Sequence, residues 1–222
     1  HHWALDILSE IKKKKKIIGV IGGPHPTYFP EIIQHSSVDI ICRGEGEYAL
    51  LDLMNCIGAS GDFKHIPNLW VKQDGQIYKN SLRPLILDLD KLPFTDREIY
   101  YKYADLRKSQ IKPFSASRGC PFECSFCFND KFVEIYGSKS VGVRLRDPHR
   151  IIEEIAVVRK KYGLGTIFFT DDVLGLNQQW LKDLLILMAE KVALPFVCNI
   201  RADLLNEEMA VLLKSAGCHA VS

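Results

Sequence analysis

Three cysteines, Cys120, Cys124 and Cys127, stand within the stretch Arg118-Gly-Cys-Pro-Phe-Glu-Cys-Ser-Phe-Cys-Phe128. Thiolates this close together on a polar loop containing glycine and proline can wrap one metal centre, and soft sulfur ligands select iron–sulfur clusters or zinc. A structural zinc site needs four ligands, so a zinc module would have to recruit Cys198, Cys218 or a histidine from elsewhere. A cubane of four irons held by three thiolates leaves one iron open, and an open iron can bind a further molecule. Three inert buried thiols would need an apolar periodicity that this loop lacks. Cys198 and Cys218 themselves fall on buried-strand patterns and read as core residues.

The elements around the loop must position it. From Phe114 onward, strands and helices alternate. Asp147-Pro148 supplies an N-cap and a first-turn proline, Ile151, Ile152, Ile155 and Val158 share one apolar helix face, and Gly163 ends the helix. A buried strand is expected at Thr166–Thr170, a helix from Asn177 to Lys191, a strand at Phe196–Ile200, a helix from Asn206 to Ala216 and a further strand start after Gly217. Successive βα units indicate a βα barrel or an open parallel sheet, whose functional groups collect at the carboxyl ends of the strands. Asp171 and Asp172 follow one such strand, and Asn199 and Arg201 end the next. For one of the aspartates a turn-capping role is the structural alternative, and for Arg201 a surface ion pair. His149 falls in a first helical turn and reads as solvated.

The cysteine stretch resembles the C-x-x-x-C-x-aromatic-C motif of the radical S-adenosylmethionine superfamily, with Phe126 in the aromatic position. The resemblance implies that Cys120, Cys124 and Cys127 hold a 4Fe-4S cluster whose open iron chelates the amino and carboxylate groups of S-adenosylmethionine, and that Phe126 packs near the adenine. It further implies reductive cleavage to a 5′-deoxyadenosyl radical, with an electron donor such as flavodoxin or ferredoxin as partner. Asp171 and Asp172 resemble the Asp-Asp segment of the cobalamin-associated branch, which implies a contact to the methionine ammonium. Asn199 and Arg201 are candidates for its carboxylate or ribose.

Upstream, Ile17–Ile21 runs into Gly22-Gly-Pro-His-Pro-Thr27, and Val38-Asp-Ile-Ile-Cys-Arg-Gly-Glu-Gly-Glu47 follows. A strand followed by a loop without side-chain bulk lets a ligand approach the backbone at the carboxyl end of an open α/β sheet. A simple turn is the plainer reading of Gly22-Gly23 taken alone. Over residues 17 to 53 the segment resembles the latter half of the cobalamin-binding domain that precedes many radical S-adenosylmethionine domains. That implies cobalamin as a cofactor, with Gly22 and Gly23 against its nucleotide tail. The Asp-x-His-x-x-Gly loop that supplies an axial histidine in many such domains is not in the sequence, and His25 is not assigned that role.

Composition sets the limits. The 222 residues are 47% hydrophobic and 25% charged with a formal net charge of +2, which points to a packed globular chain and to neither a nucleic-acid nor a membrane partner. Lys12–Lys16 is the dense charge run and reads as a helix C-terminus. Seven cysteines without a signal peptide indicate a reducing, cytoplasmic setting, and the chemistry an anaerobic one. Both ends read as truncated.

The expected fold is α/β: the C-terminal half of a Rossmann-like cobalamin-binding domain over 1–57, a linker with a β-hairpin about Asp74-Gly75 over 58–110, and the first half of a partial (β/α)6 radical SAM barrel over 111–222. The expected function is that of a cobalamin-dependent methyltransferase acting on an unactivated carbon of a small-molecule or peptide substrate. A radical oxidative cyclase is the alternative within catalysis, and a zinc-stabilised binding module the alternative outside it. A methylthiotransferase would bring its own N-terminal cysteine triad, and only Cys42 and Cys56 are present there.

Overall fold

The computed structural model describes residues 2–136 and 142–222. In chain order the first elements are α1 (His2–Lys14), β1 (Val20–Ile21), α2 (Pro24–Tyr28), a 3-10 turn (Pro30–Gln34), β2 (Ile40–Cys42), α3 (Glu47–Gly58), β3 (Leu69–Gln73) and β4 (Gln76–Lys79). Then come α4 (Glu98–Tyr101), α5 (Ala104–Lys108), β5 (Ile111–Phe114), β6 (Ser117–Arg118), α6 (Phe128–Tyr136) and β7 (Arg144–Leu145). The remainder is α7 (Pro148–Tyr162), β8 (Thr166–Phe169), α8 (Gln178–Leu187), a π-turn (Met188–Val192), β9 (Phe196–Cys198), α9 (Glu207–Ser215) and β10 (Cys218–Val221). The chain divides into two compact units, His1–Ile86 with Glu123–Lys139, and Leu87–Phe122 with Ser140–Ser222.

The first unit is built on the sheet β1-β2-β3-β4, in which β1 and β2 are parallel and the two later pairs antiparallel. Every residue of β2 is buried because helical segments cover both of its faces. Ile40 and Cys42 meet Ala49 and Leu53 of α3, while Ile41 meets Leu5 of α1 and Ile32 and Ile33 of the 3-10 turn. The hairpin turn has positive φ at both Asp74 (54°) and Gly75 (76°), the type I′ geometry that suits the twist of paired strands. Its strand β3 pairs with β2, so the hairpin expected within a linker is part of this sheet. The loop expected at Gly22–Pro26 differs as well: Pro24 occupies the first helical turn and α2 starts there, directly after Gly23 at φ 101°.

In the second unit β5, β8, β9 and β10 form an all-parallel sheet whose spatial order follows the chain, as consecutive βα units require. Asp147, Asn177 and Asn206 cap α7, α8 and α9 with side-chain acceptors, at the helix starts the sequence indicated. Ile151, Ile155, Leu181, Leu184 and Leu213 pack on the sheet face made by Phe114, Ile167, Phe169, Phe196 and Cys198. The opposite face leaves Ile111 59% and Phe168 37% exposed. Thr166 N–H donates to Gln110 O and Thr170 N–H to Phe114 O, so the intervening Pro113 turns its backbone away from β8, where its missing N–H costs no ladder bond.

Buried Arg97 donates to the Pro113 carbonyl (2.8 Å) and to Glu154 of α7 (3.2 Å), and Arg146 donates to the other Glu154 oxygen (2.7 Å). Among the described residues no helix is long and apolar enough to cross a membrane.

Candidate functional site

The cysteine loop leaves β6 through Gly119, whose φ of 94° calls for glycine. Residues 119–125 have no regular structure except the start of a turn, in which Cys127 N–H donates to Cys124 O (2.9 Å) just ahead of α6. Cys120, Cys124 and Cys127 are half-buried and in no disulfide. Cys120 belongs to the second unit and the other two to the first. Phe126 is 93% exposed, an unusual state for an aromatic ring with a large apolar area. Among the described residues, no group of three or more His, Cys, Asp or Glu side chains is placed to hold a metal ion.

In chemistry, though not in its placement among the described residues, the donor set of three thiols suits an iron–sulfur cluster: soft sulfur donors in no disulfide, on a loop with little secondary structure. The other cysteines do not extend it. Cys198 lies buried on β9, and its thiol is pushed up by its hydrogen bond with Cys218 and by burial. Burial raises Cys42 to about 11, with Glu47 adding to the effect and Arg83 opposing it, so this thiol stays protonated in the core.

Asp171 and Asp172, paired in sequence, part in the structure. Asp171 is 3% exposed, and both of its carboxylate oxygens accept from Ala116 N–H at 3.1 Å, while Ser117 Oγ donates to one of them at 2.5 Å. Burial pushes the Asp171 carboxyl above the ordinary carboxylate range against the lowering effect of these hydrogen bonds. Asp172 is exposed. Asn199 spends its side-chain N–H on the Asp171 backbone carbonyl (2.9 Å). The Arg201 guanidinium is held by both oxygens of Asp203 (3.0 and 2.8 Å) and lies 3.8 Å from the centre of the Phe122 ring. His149 is exposed, as expected.

In the first unit the two glycine-bearing loops meet through Thr27, a residue that the sequence reading passed over. Its hydroxyl donates to Gly23 O (2.8 Å) and accepts from Gly44 N–H (3.0 Å), and the residue is 3% exposed. A buried Thr directly after a proline carries no pattern that separates it from core. Asn68 is the second link missed, donating to the carbonyls of Arg43 and Glu45 (both 2.9 Å). A Cβ on Gly23 would meet nothing within 4 Å, so its backbone borders open space, whereas one on Gly22 would touch Cys42 at 3.6 Å. Gly23 therefore fits a backbone-close ligand better than Gly22 does.

Residues 114–222 match the family described as the Radical SAM superfamily. An uncharacterized methyltransferase of Pyrococcus horikoshii is 31% identical over 93% of this chain and 45% of its own length. The anaerobic magnesium-protoporphyrin IX monomethyl ester cyclase of Rubrivivax gelatinosus is 32% identical over 70% of the chain and 28% of its own length. The chain thus spans under half the length of these relatives. Among solved structures, the radical S-adenosylmethionine methyltransferase TsrM from Kitasatospora setae superposes with a TM-score of 0.74 at 19% identity, over 98% of this chain and 43% of that one. That likeness confirms the expected α/β architecture.

Proposed function

Because residues 114–222 make this chain a member of the Radical SAM superfamily, we propose that it is the cluster-bearing part of a cobalamin-dependent radical methyltransferase. The observation that carries the reading is the Cys120, Cys124, Cys127 triad inside the matched segment. These three thiolates are the proposed cluster ligands. A bound cluster would supply the electron that cleaves S-adenosylmethionine. Exposed Phe126 is the proposed adenine neighbour, and exposed Asp172 the proposed carboxylate for the methionine ammonium. Gly23, backed by Thr27, is the proposed backbone approach for cobalamin. TsrM has been solved with cobalamin and a [4Fe-4S] cluster bound, and the Pyrococcus horikoshii relative carries the name of a methyltransferase, which together support this choice. The cyclase relative supports a second reading, radical oxidation without methyl transfer.

The test is anaerobic reconstitution of the complete protein, followed by iron and sulfide analysis and product detection. Cluster and 5′-deoxyadenosine should both appear, and Ala at any triad cysteine should abolish them while Cys42→Ala leaves them. Zinc without sulfide would reject the reading. Formation of a methylated product separates methyl transfer from cyclase chemistry.

A further inference from the structure

The carboxyl ends of β8 and β9 touch the cysteine segment on both sides of Cys120. On one side, the buried Asp171 carboxylate takes the Ala116 N–H and the Ser117 hydroxyl, at the root of the loop. On the other, the Arg201 guanidinium stacks on Phe122, two residues past Cys120. We infer that Asp171 and Arg201 are positioning residues that clamp the Cys120 stretch of the loop, and that neither is a ligand of S-adenosylmethionine.

Two physical points carry this. A carboxylate 3% exposed is costly, and the Asp171 carboxylate accepts from neutral donors, Ala116 N–H and Ser117 Oγ, in the segment that leads to Cys120. Hydrogen bonds from uncharged groups keep such a carboxylate in place, and they are lost if the loop root moves. Arg201, for its part, is oriented by a two-point contact to Asp203, which fixes the plane of the guanidinium against the ring. An exposed Arg–Asp pair contributes little by itself, so its use lies in what the fixed plane covers. The Asn199 side chain, bonded to the Asp171 carbonyl, ties the two strand ends together so that both clamps share one frame.

The inference rests on the proposal that Cys120 is a cluster ligand, and the experiment separates the two. The complete protein is reconstituted anaerobically as wild type, Ser117→Ala, Phe122→Leu, Phe122→Tyr and Arg201→Gln. Four quantities are measured: the rate of iron loss to bathophenanthroline disulfonate, the electron paramagnetic resonance spectrum of the reduced cluster without S-adenosylmethionine, the affinity for S-adenosylmethionine, and the melting temperature. Phe122→Leu and Arg201→Gln should each speed iron loss by about threefold to thirtyfold, the range expected for a lost cation–π stack. Each should also shift the resonance line shape, and a further protein carrying both Phe122→Leu and Arg201→Gln should be no worse than either alone. Ser117→Ala should act in the same direction. Phe122→Tyr, which keeps the ring, should restore wild-type behaviour, an outcome that a general loss of stability would not give. Wild-type iron loss and line shape in all three weakened variants would overturn the clamp. So would an Arg201→Gln protein whose sole defect is weaker S-adenosylmethionine binding, since that marks Arg201 as a ligand. A wild type that assembles no cluster would overturn the underlying proposal and this inference with it.

Discussion

Asp171 shows at the residue scale how burial changes what a side chain can do. Its folded-state pKa lies above the ordinary carboxylate value, so the native state holds the proton more tightly than the unfolded chain does. Stability from this group is greatest below the ordinary carboxylate range and falls as pH rises through the window up to the raised folded value. Subtracting Asp171→Asn unfolding free energies from wild-type ones across that window should therefore give a difference that declines with pH, and a flat difference would remove Asp171 as its source. Gly44 offers a second case, with φ at 70° and a would-be Cβ that runs into the Tyr136 hydroxyl. Gly44→Ala should cost about 1–3 kcal/mol in chemical denaturation. The cysteine spacing was legible because metal chemistry writes itself into short intervals. The difference between Asp171 and Asp172 was not, since it lies in burial and in hydrogen bonds from Ala116 and Ser117, more than fifty residues away.

At the scale of elements, local rules carried most of the second unit. Asp147 caps its helix as read, the helices expected from Asn177 and Asn206 start there with those side chains as caps, and the apolar face of α7 is the one that periodicity selected. The helix expected to reach Lys191 stops at Leu187 and continues as the π-turn to Val192, which ends with Ala193 at φ 48°; no proline or glycine marks the change. The Arg97–Glu154–Arg146 network was equally hidden, because its members come from three separate stretches. Glu154 is 4% exposed between two guanidinium groups, so Glu154→Ala leaves buried positive charge without its counterion. A loss of about 3–5 kcal/mol is expected from urea unfolding followed in the second unit. A change below about 0.5 kcal/mol, the usual effect of a surface substitution, would show that water replaces the carboxylate.

Considered as a whole molecule, the chain forms two compact units, and the sequence order of its pieces conceals which belongs to which. Residues 123–139 belong to the first unit although residues on either side belong to the second, and no local period reports such an exchange. For the same reason the hairpin looked like linker: its type I′ turn is a local signal, while the pairing of β3 with β2 joins residues about thirty apart. Cobalamin use belongs to this scale as well. Equilibrium dialysis of the complete protein with hydroxocobalamin should show tight binding, and Gly23→Val should weaken it at least tenfold without loss of cluster, although the strain of a side chain at φ 101° requires a melting control. Unchanged binding by a folded Gly23→Val protein would remove that glycine from the site.

The edge strand β5 closes one border of the second unit's sheet. Pro113 faces outward with no N–H to offer, and Arg97 occupies its carbonyl, so this border of the sheet is a terminated end. A misfolded neighbour seeking an edge on which to add a strand would therefore find this border closed.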